Sequence, residues 1–235
     1  MPDFAAATSD LLVKSRRRVS DHGEVFTPPW LVDAMLDLVK GEVARPGARV
    51  LEPACGSGNF LVPVLRMKLA RVKDKYTAPG FQRRQTSLWA LMSLYGIELL
   101  RDNVQECRAV LLDCFTDELG LIVGDPLADA ARYVLSLNIV HGDALNMTTE
   151  GAEGEKGLPI TFSSWAILNY AWFRREVWRF QDLTPKEKEP PPATQLRFDL
   201  NLPAAEKAAS NLPKRLSEES LSVRTMVERA RELVR

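Results

Sequence analysis

Cysteine is scarce in this 235-residue sequence: Cys55, Cys107 and Cys114 are the only three, and no two form a CxxC pair. The spacing therefore offers neither a zinc knuckle nor a redox dithiol, and so small and odd a set points to a reducing, cytoplasmic compartment. No run approaches the ~18 apolar residues of a membrane span. Residues 1–10 lack the charged start and apolar stretch of a signal peptide, so none is expected. An excess of charge is missing too. Lys+Arg and Asp+Glu both total 31, which excludes the strongly basic footprint of a stand-alone nucleic-acid binder, so any DNA contact has to be local or shared with a partner. What is present, 46% hydrophobic and 26% charged residues, is ordinary for a soluble globular chain of one large domain, or a domain plus a tail.

Residues 1–20 end in a basic run, Lys14, Arg16, Arg17 and Arg18, which reads as a flexible, solvated N-terminus or as a phosphate contact. Pro28 and Pro29 then open a segment in which Leu31, Val32, Met35, Leu36 and Val39 recur at helical spacing. Residues 48–51 read as a short buried strand running into a glycine loop. A second helix follows, with Leu61, Val64, Leu65, Leu69 and Val72 apolar and Arg66, Lys68, Arg71, Lys73 and Lys75 between them. The pattern continues with a helix over 85–92, a strand over 93–99 ending in Glu98, and a helix over 101–115 with Val104, Val110, Leu111 and Leu112 inward. A helix over 127–133 and a strand over 135–140 follow, ahead of His141-Gly-Asp143. The order αβαβαβ predicts an α/β fold, a mostly parallel sheet with helices on both faces.

Beyond Met147, a strand is expected over 160–165. Residues 184–215, with Pro190, Pro191 and Pro192 in a row, read as a stiff linker. A helix from about Ser217 to the end carries Val223, Met226, Val227, Ala230, Leu233 and Val234 on one stripe. That helical tail either packs back on its own domain or docks on a partner chain.

Gly56 and Gly58, one residue apart at a strand-to-helix junction, let the backbone approach a ligand and present helix N-terminal amides to it. The dinucleotide fingerprint needs a third glycine where Leu61 stands, and no Gly-Lys-Ser/Thr marks a P-loop. The distinctive feature is the acid Glu52 at the strand's end, suited to a cationic group such as an α-ammonium. Cys55 lies inside the loop without a nearby base and reads as small filler rather than nucleophile.

Leu51-Glu-Pro-Ala-Cys-Gly-Ser-Gly-Asn-Phe60 resembles the first S-adenosylmethionine motif of N6-adenine DNA methyltransferases of restriction-modification systems. Gly23-Glu-Val-Phe-Thr-Pro-Pro-Trp-Leu-Val32 resembles the segment that precedes it in their γ-type motif order. Gly96-Ile-Glu98 and Gly142-Asp-Ala-Leu145 are similar to the second and third motifs, so the resemblance spans residues 20–147. It implies a Rossmann-like class I S-adenosylmethionine-dependent methyltransferase domain, placed over 21–183, with S-adenosyl-L-methionine as cofactor; the C-terminal helix, read from its own stripe, is placed over 216–235 beyond the linker. Phe26, Thr27 and Pro28 would close over the cofactor's methionine portion. Glu52, Ala54, Cys55, Gly56 and Gly58 would hold its amino-acid end. Glu98 would accept the ribose hydroxyls, and Asp143, with Ala144 beside it, would meet the adenine.

The family's Asn/Asp-Pro-Pro-Tyr/Phe tetrapeptide, which holds and stacks a flipped-out adenine, has no counterpart here. The nearest candidate, Asn169-Tyr-Ala-Trp-Phe173, keeps an Asn and aromatics but neither proline, so Asn169 stands as a degenerate catalytic residue or these residues are plain core. A recognition region is also not evident. The aromatic-basic cluster of Trp172, Phe173, Arg174, Arg175, Trp178, Arg179 and Phe180 either contacts nucleic acid or forms a half-buried face with snorkelling arginines. The expectation is a DNA adenine methyltransferase module that acts with a partner supplying the missing parts. A degenerate regulatory subunit and a protein or small-molecule methyltransferase are the alternatives.

Overall fold

The computed structural model describes residues 18, 20, 27–151, 157–169, 172–183 and 215–233. Phe26, Lys14, Arg16, Arg17 and the proline-rich stretch over 184–214 lie outside the described residues. Arg18, the last of the basic run, forks onto the Asp102 carboxylate at 2.6 and 3.2 Å, so its guanidinium is engaged within the chain.

Helix α1 (Pro29–Val43) starts on a proline, whose fixed φ and missing N–H suit the first turn. Of its five expected core positions only Val32 and Leu36 are buried; Leu31 is half-buried, and Met35 and Val39 face solvent beside exposed Trp30 and Leu38. Strand β1 (Val50–Glu52) follows, then helices α2 (Leu61–Lys75) and α3 (Phe81–Met92), strand β2 (Leu94–Glu98) and helix α4 (Arg101–Leu119). On α4, Val104 and Leu111 are buried as the spacing predicts, while Val110 and Leu112 are half-buried.

Helix α5 (Pro126–Asn138) and strand β3 (Ile139–Asp143) correct the sequence-based boundary, which began the strand at residue 135. Leu127, Ala130, Ala131, Val134, Leu135 and Asn138 share the buried side of one continuous helix, and the Asn138 amide ends it by donating to the carbonyls of Met92 and Leu94 at 3.1 and 3.0 Å. β-Branched Ile139 and Val140 are all that the strand takes from the apolar run.

Strands β1, β2 and β3 are parallel and adjacent, and the short β4 (Thr148–Thr149) adds antiparallel to β3. All five residues of β2 are buried, as expected of a central parallel strand. The α/β core thus forms as the pattern predicts, with Leu61, Leu65, Leu88, Leu91, Leu111, Phe115 and Val134 fully buried around it. Lys68, read as one of the polar residues between apolar positions of α2, is instead fully buried. Its ammonium donates to the carbonyls of Arg45, Pro46 and Ala48, pinning the connection between α1 and β1, and burial beside Arg45 lowers its pKa to about 8.

A second, antiparallel sheet has the order β5 (Thr161–Asn169), β6 (Trp172–Arg179), β7 (Arg215–Ser222). It is followed in sequence by α6 (Phe180–Leu183) after β6 and by α7 (Val223–Glu232) after β7. The helix expected from Ser217 therefore begins six residues later, at Val223, because residues 215–222 pair with β6 over their whole length. It is not a free tail. Met226, Val227 and Ala230 are buried where α7 packs on α5, so of the two expectations the helix packs back on its own chain; Val223 is half-buried, Leu233 is exposed, and Val234 lies outside the described residues. The aromatic-basic cluster lies on β6 and α6, with Phe173 and Phe180 in the core and Arg175 turned to Ser163 and Glu219. Arg174 lies 3.5 Å from the Glu176 carboxylate and Arg179 is exposed, so the cluster is half-buried with two of its three arginines beside carboxylates.

One carboxylate joins these last elements. Glu219 of β7 accepts from Arg229 of α7 at 3.0 and 2.8 Å and from Arg175 of β6 at 2.6 Å, while Arg229 also donates to the Tyr133 hydroxyl of α5 at 2.9 Å. The Arg229 hydrogen bonds, followed by those of Arg175, hold the Glu219 pKa down to about 2 from an ordinary 4.5. A depressed carboxylate contributes stability that is fully present above pH 4.5 and is lost as the pH falls from there through 2. Thermal melts of Glu219→Gln are expected to show a lower Tm at pH 7 and a shallower loss of Tm between pH 5 and 3 than the parent protein; an unchanged acid profile would show that the clasp carries no such load.

Candidate functional site

The carboxyl ends of β1, β2 and β3 place three acids on one edge of the sheet: Glu52, Glu98 and Asp143. The register Glu52↔Gly96 and Glu98↔His141 staggers them along adjacent strands. Glu52 is half-buried and accepts from the Ala54 amide at 3.4 Å; desolvation raises its pKa. Glu98 is buried, and its carboxylate gathers three donors: the Gly56 amide at 2.8 Å, the Leu100 amide at 2.9 Å and the Asn103 side chain at 3.4 Å. A carboxylate offers about four acceptor positions, so three of them are used inside the chain. Asp143 closes a turn onto itself, accepting from the amides of Leu145 and Asn146 at 2.8 and 3.1 Å and from the Asn146 side chain at 2.6 Å. The Asn146 and Leu145 amides lower its pKa. Ala144 beside it is half-buried against a small cluster around Ile97 and Ile160.

The loop between β1 and α2 turns through two glycines with positive φ, Gly56 at 51° and Gly58 at 102°. Side chains rarely adopt that backbone region, and a Cβ on Gly58 would also stand 3.3 Å from both Cys107 Sγ and Val110 Cγ2. Cys55 is buried between them and β2, and its amide donates to the Ile97 carbonyl at 3.0 Å. Its thiol is pushed up by the hydrogen bond with Cys107 and by burial, which fits filler and not a nucleophile.

Thr27 and Gly58 meet in a cavity of about 360 Å³ whose wall also includes Val32, Asp33, Asn59 and Glu106. Pro28, next to Thr27, caps α1 through its carbonyl, which accepts from Leu31 and Val32. Glu52, Glu98 and Asp143 do not line this cavity, so the structure brings the expected residues together as two groups: the strand-end acids, and the Thr27–Gly58 hollow beside the same loop. Asn169 belongs to neither. It ends β5 in the second sheet, exposed, with its backbone carbonyl accepting from Gln85 at 3.0 Å. Asn103, Asp33 and Glu106 are site residues that the sequence reading passed over. Asn103 had one available signal, a polar residue one turn into the helix that directly follows the Glu98 strand. No group of three or more metal-binding side chains occurs among the described residues.

Residues 10–118 match the family model described as N-6 DNA methylase. That stretch, a little under half of the chain, is similar to the N-6 DNA methylase family. No curated protein and no solved structure matches it. The N-6 DNA methylase segment includes α1, β1, the glycine loop and β2, and so Thr27, Pro28, Glu52, Ala54, Cys55, Gly56, Gly58 and Glu98; Asp143, Ala144 and Asn169 lie beyond it. The match supports a DNA methyltransferase function for this stretch, and DNA is the substrate that family implies. No described helix is long and apolar enough to cross a membrane.

Gly58→Ala places a side chain at positive φ against two packed neighbours, and a strained backbone of this kind costs on the order of 1–3 kcal/mol. A urea melt is expected to show a loss in that range, with Gly120→Ala, whose Cβ would meet nothing within 4 Å, losing less.

Proposed function

We propose that this chain is the S-adenosylmethionine-binding module of an adenine-specific DNA methyltransferase, acting in a restriction-modification or related phage-defence system with a partner that completes catalysis and target reading. The observation that carries the reading is the row of three carboxylates at the ends of β1, β2 and β3, next to a positive-φ glycine loop that opens α2. Ligands of open α/β sheets sit at that edge, and the architecture is accordingly taken as Rossmann-like class I.

The donor set suits the cofactor. Glu52, half-buried with a raised pKa, gains by meeting an ammonium; the remaining acceptor position of Glu98 suits a ribose hydroxyl; and Asp143 suits an exocyclic amine. Thr27 lines the adjoining hollow, where it and the neighbouring Pro28 would cover the methionine portion. When bound, S-adenosylmethionine supplies an electrophilic methyl group on its sulfonium. The chain's own contribution is position: rigid strand ends orient the ligand, and the glycine loop keeps side chains out of its way.

Transfer to adenine N6 also needs acceptors and an aromatic face around the flipped base. Asn169 does not join the strand-end acids, which favours their supply by a partner. Two features support this. Among the described residues β1 pairs only with β2, leaving its outer edge open for one more strand, and Trp30, Met35, Leu38 and Val39 expose apolar surface on α1. The placement of Asn169 equally supports a second reading, a methyltransferase-fold subunit that binds cofactor and regulates without transferring.

Calorimetric titration with S-adenosylmethionine tests the shared premise. Binding is expected, with Glu98→Ala and the less buried Glu52→Ala each weakening it about tenfold or more, since hydrogen bonds to charged groups are worth ~1.5–3 kcal/mol. A folded protein with no binding would sink both readings. Incubation with labelled cofactor and unmethylated DNA, alone and with the proteins encoded beside it, separates them: adenine label is expected only in the complemented mixture, and no label in any mixture leaves the regulatory subunit.

A further inference from the structure

A cavity of about 580 Å³ opens at the other end of β1 from Glu52, within the usual ~300–1,000 Å³ range of ligand sites. Its floor is the connection over residues 45–48, whose carbonyls at Arg45, Pro46 and Ala48 are gathered by the buried Lys68 ammonium, so the floor is braced from beneath. Its walls include two aromatic residues, Tyr76 after α2 and Trp89 on α3. Trp89 is held in place by Gly47: a Cβ there would come within 2.3 Å of the indole six-membered ring, so only the bare backbone lets that ring lie where it does.

Three cations, Arg45, Arg71 and Lys75, line the same space, and no Asp or Glu does. In a chain whose charges balance at 31 and 31, that is a local excess. Arg45 pairs with Glu42, which stands outside the cavity. Arg71 and Lys75 have no carboxylate partner among the described residues; the Lys75 ammonium lies 5.2 Å from the Tyr76 ring centre. Each property narrows the ligand. The cations reject a positively charged ligand, a simple inorganic anion would leave the aromatic walls unused, and a neutral apolar molecule would leave the arginine fork without an acceptor. A planar ring joined to an anion uses both, since rings stack on aromatic side chains and guanidinium matches phosphate oxygens.

We propose that this cavity binds a nucleoside 5′-phosphate, either as a free nucleotide or as one residue of a nucleic-acid strand. The site is separate from the strand-end acids and does not depend on the methyltransferase reading. Its test is calorimetric titration of the full chain with adenosine and thymidine 5′-monophosphates, inorganic phosphate and a 5′-phosphorylated single-stranded oligonucleotide. At least one monophosphate or the oligonucleotide is expected to bind, inorganic phosphate at least tenfold more weakly. The double variant Arg71→Glu/Lys75→Glu, which changes two exposed side chains, is expected to weaken nucleotide binding tenfold or more while leaving the near-ultraviolet circular dichroism and S-adenosylmethionine binding as in the parent. Trp89→Ala is expected to weaken it further. An oligonucleotide that binds tenfold tighter than the monophosphates assigns the site to a strand, and equal affinities assign it to a free nucleotide. Absence of binding by every nucleotide, retention of full affinity in the double variant, or inorganic phosphate binding as tightly as the nucleotides would overturn the proposal.

Discussion

The Glu98 carboxylate is the constraint around which the carboxyl edge of the parallel sheet is built. A charge that buried is tolerated only when its lone pairs are filled, and the fillers here come from three places: the glycine loop through Gly56, the start of α4 through Leu100, and the first turn of that helix through Asn103. One side chain therefore sets the distance between the loop after β1, the end of β2 and the helix that follows. The positive-φ turn at Gly56 is stable in that shape because its amide has an acceptor, and the packing of Gly58 against Cys107 and Val110 then follows from the position of α4. If the ribose of a bound nucleoside draws on the same carboxylate, ligand and loop share one anchor.

Much of the α/β core was legible because its signals are local. Strand, glycine loop and helix follow one another without interruption from residue 50 to 75, and the acids at 52, 98 and 143 sit where periodicity changes from strand to helix or turn. The misreadings all concern residues whose fate is decided far away in sequence. Residues 135–138 look β-like in isolation but complete a helical face whose partner carbonyls belong to Met92 and Leu94. Residues 217–222 hold acids and serines compatible with a helix start, and become a strand because β6 offers an unpaired edge. Lys68 reads as a surface lysine; only the fold brings three carbonyls around it. The strand-end acids were readable as a set, whereas the separation of the Thr27–Gly58 hollow from them depends on how α1 seats, which no motif encodes.

The two ends of β1 differ in kind. The carboxyl end is acidic and hydrogen-bonded through the backbone, while the amino end is cationic and aromatic. Balanced total charge conceals that polarity. A neutral sum excludes a uniformly basic surface but is compatible with a molecule that presents opposite potentials to ligands approaching from opposite sides.

The Glu219 clasp has a consequence for how the chain is made. Arg229 and Tyr133 meet although 96 positions separate them, and α7 covers apolar surface of α5 that nothing earlier in the sequence covers in its place. At ribosomal speeds of ~5–20 residues per second, α5 waits about 5–20 s between its own synthesis and the arrival of that cover. During that interval the nascent protein carries an exposed helical face and an unzipped β6 edge, the surfaces on which a holding chaperone would act.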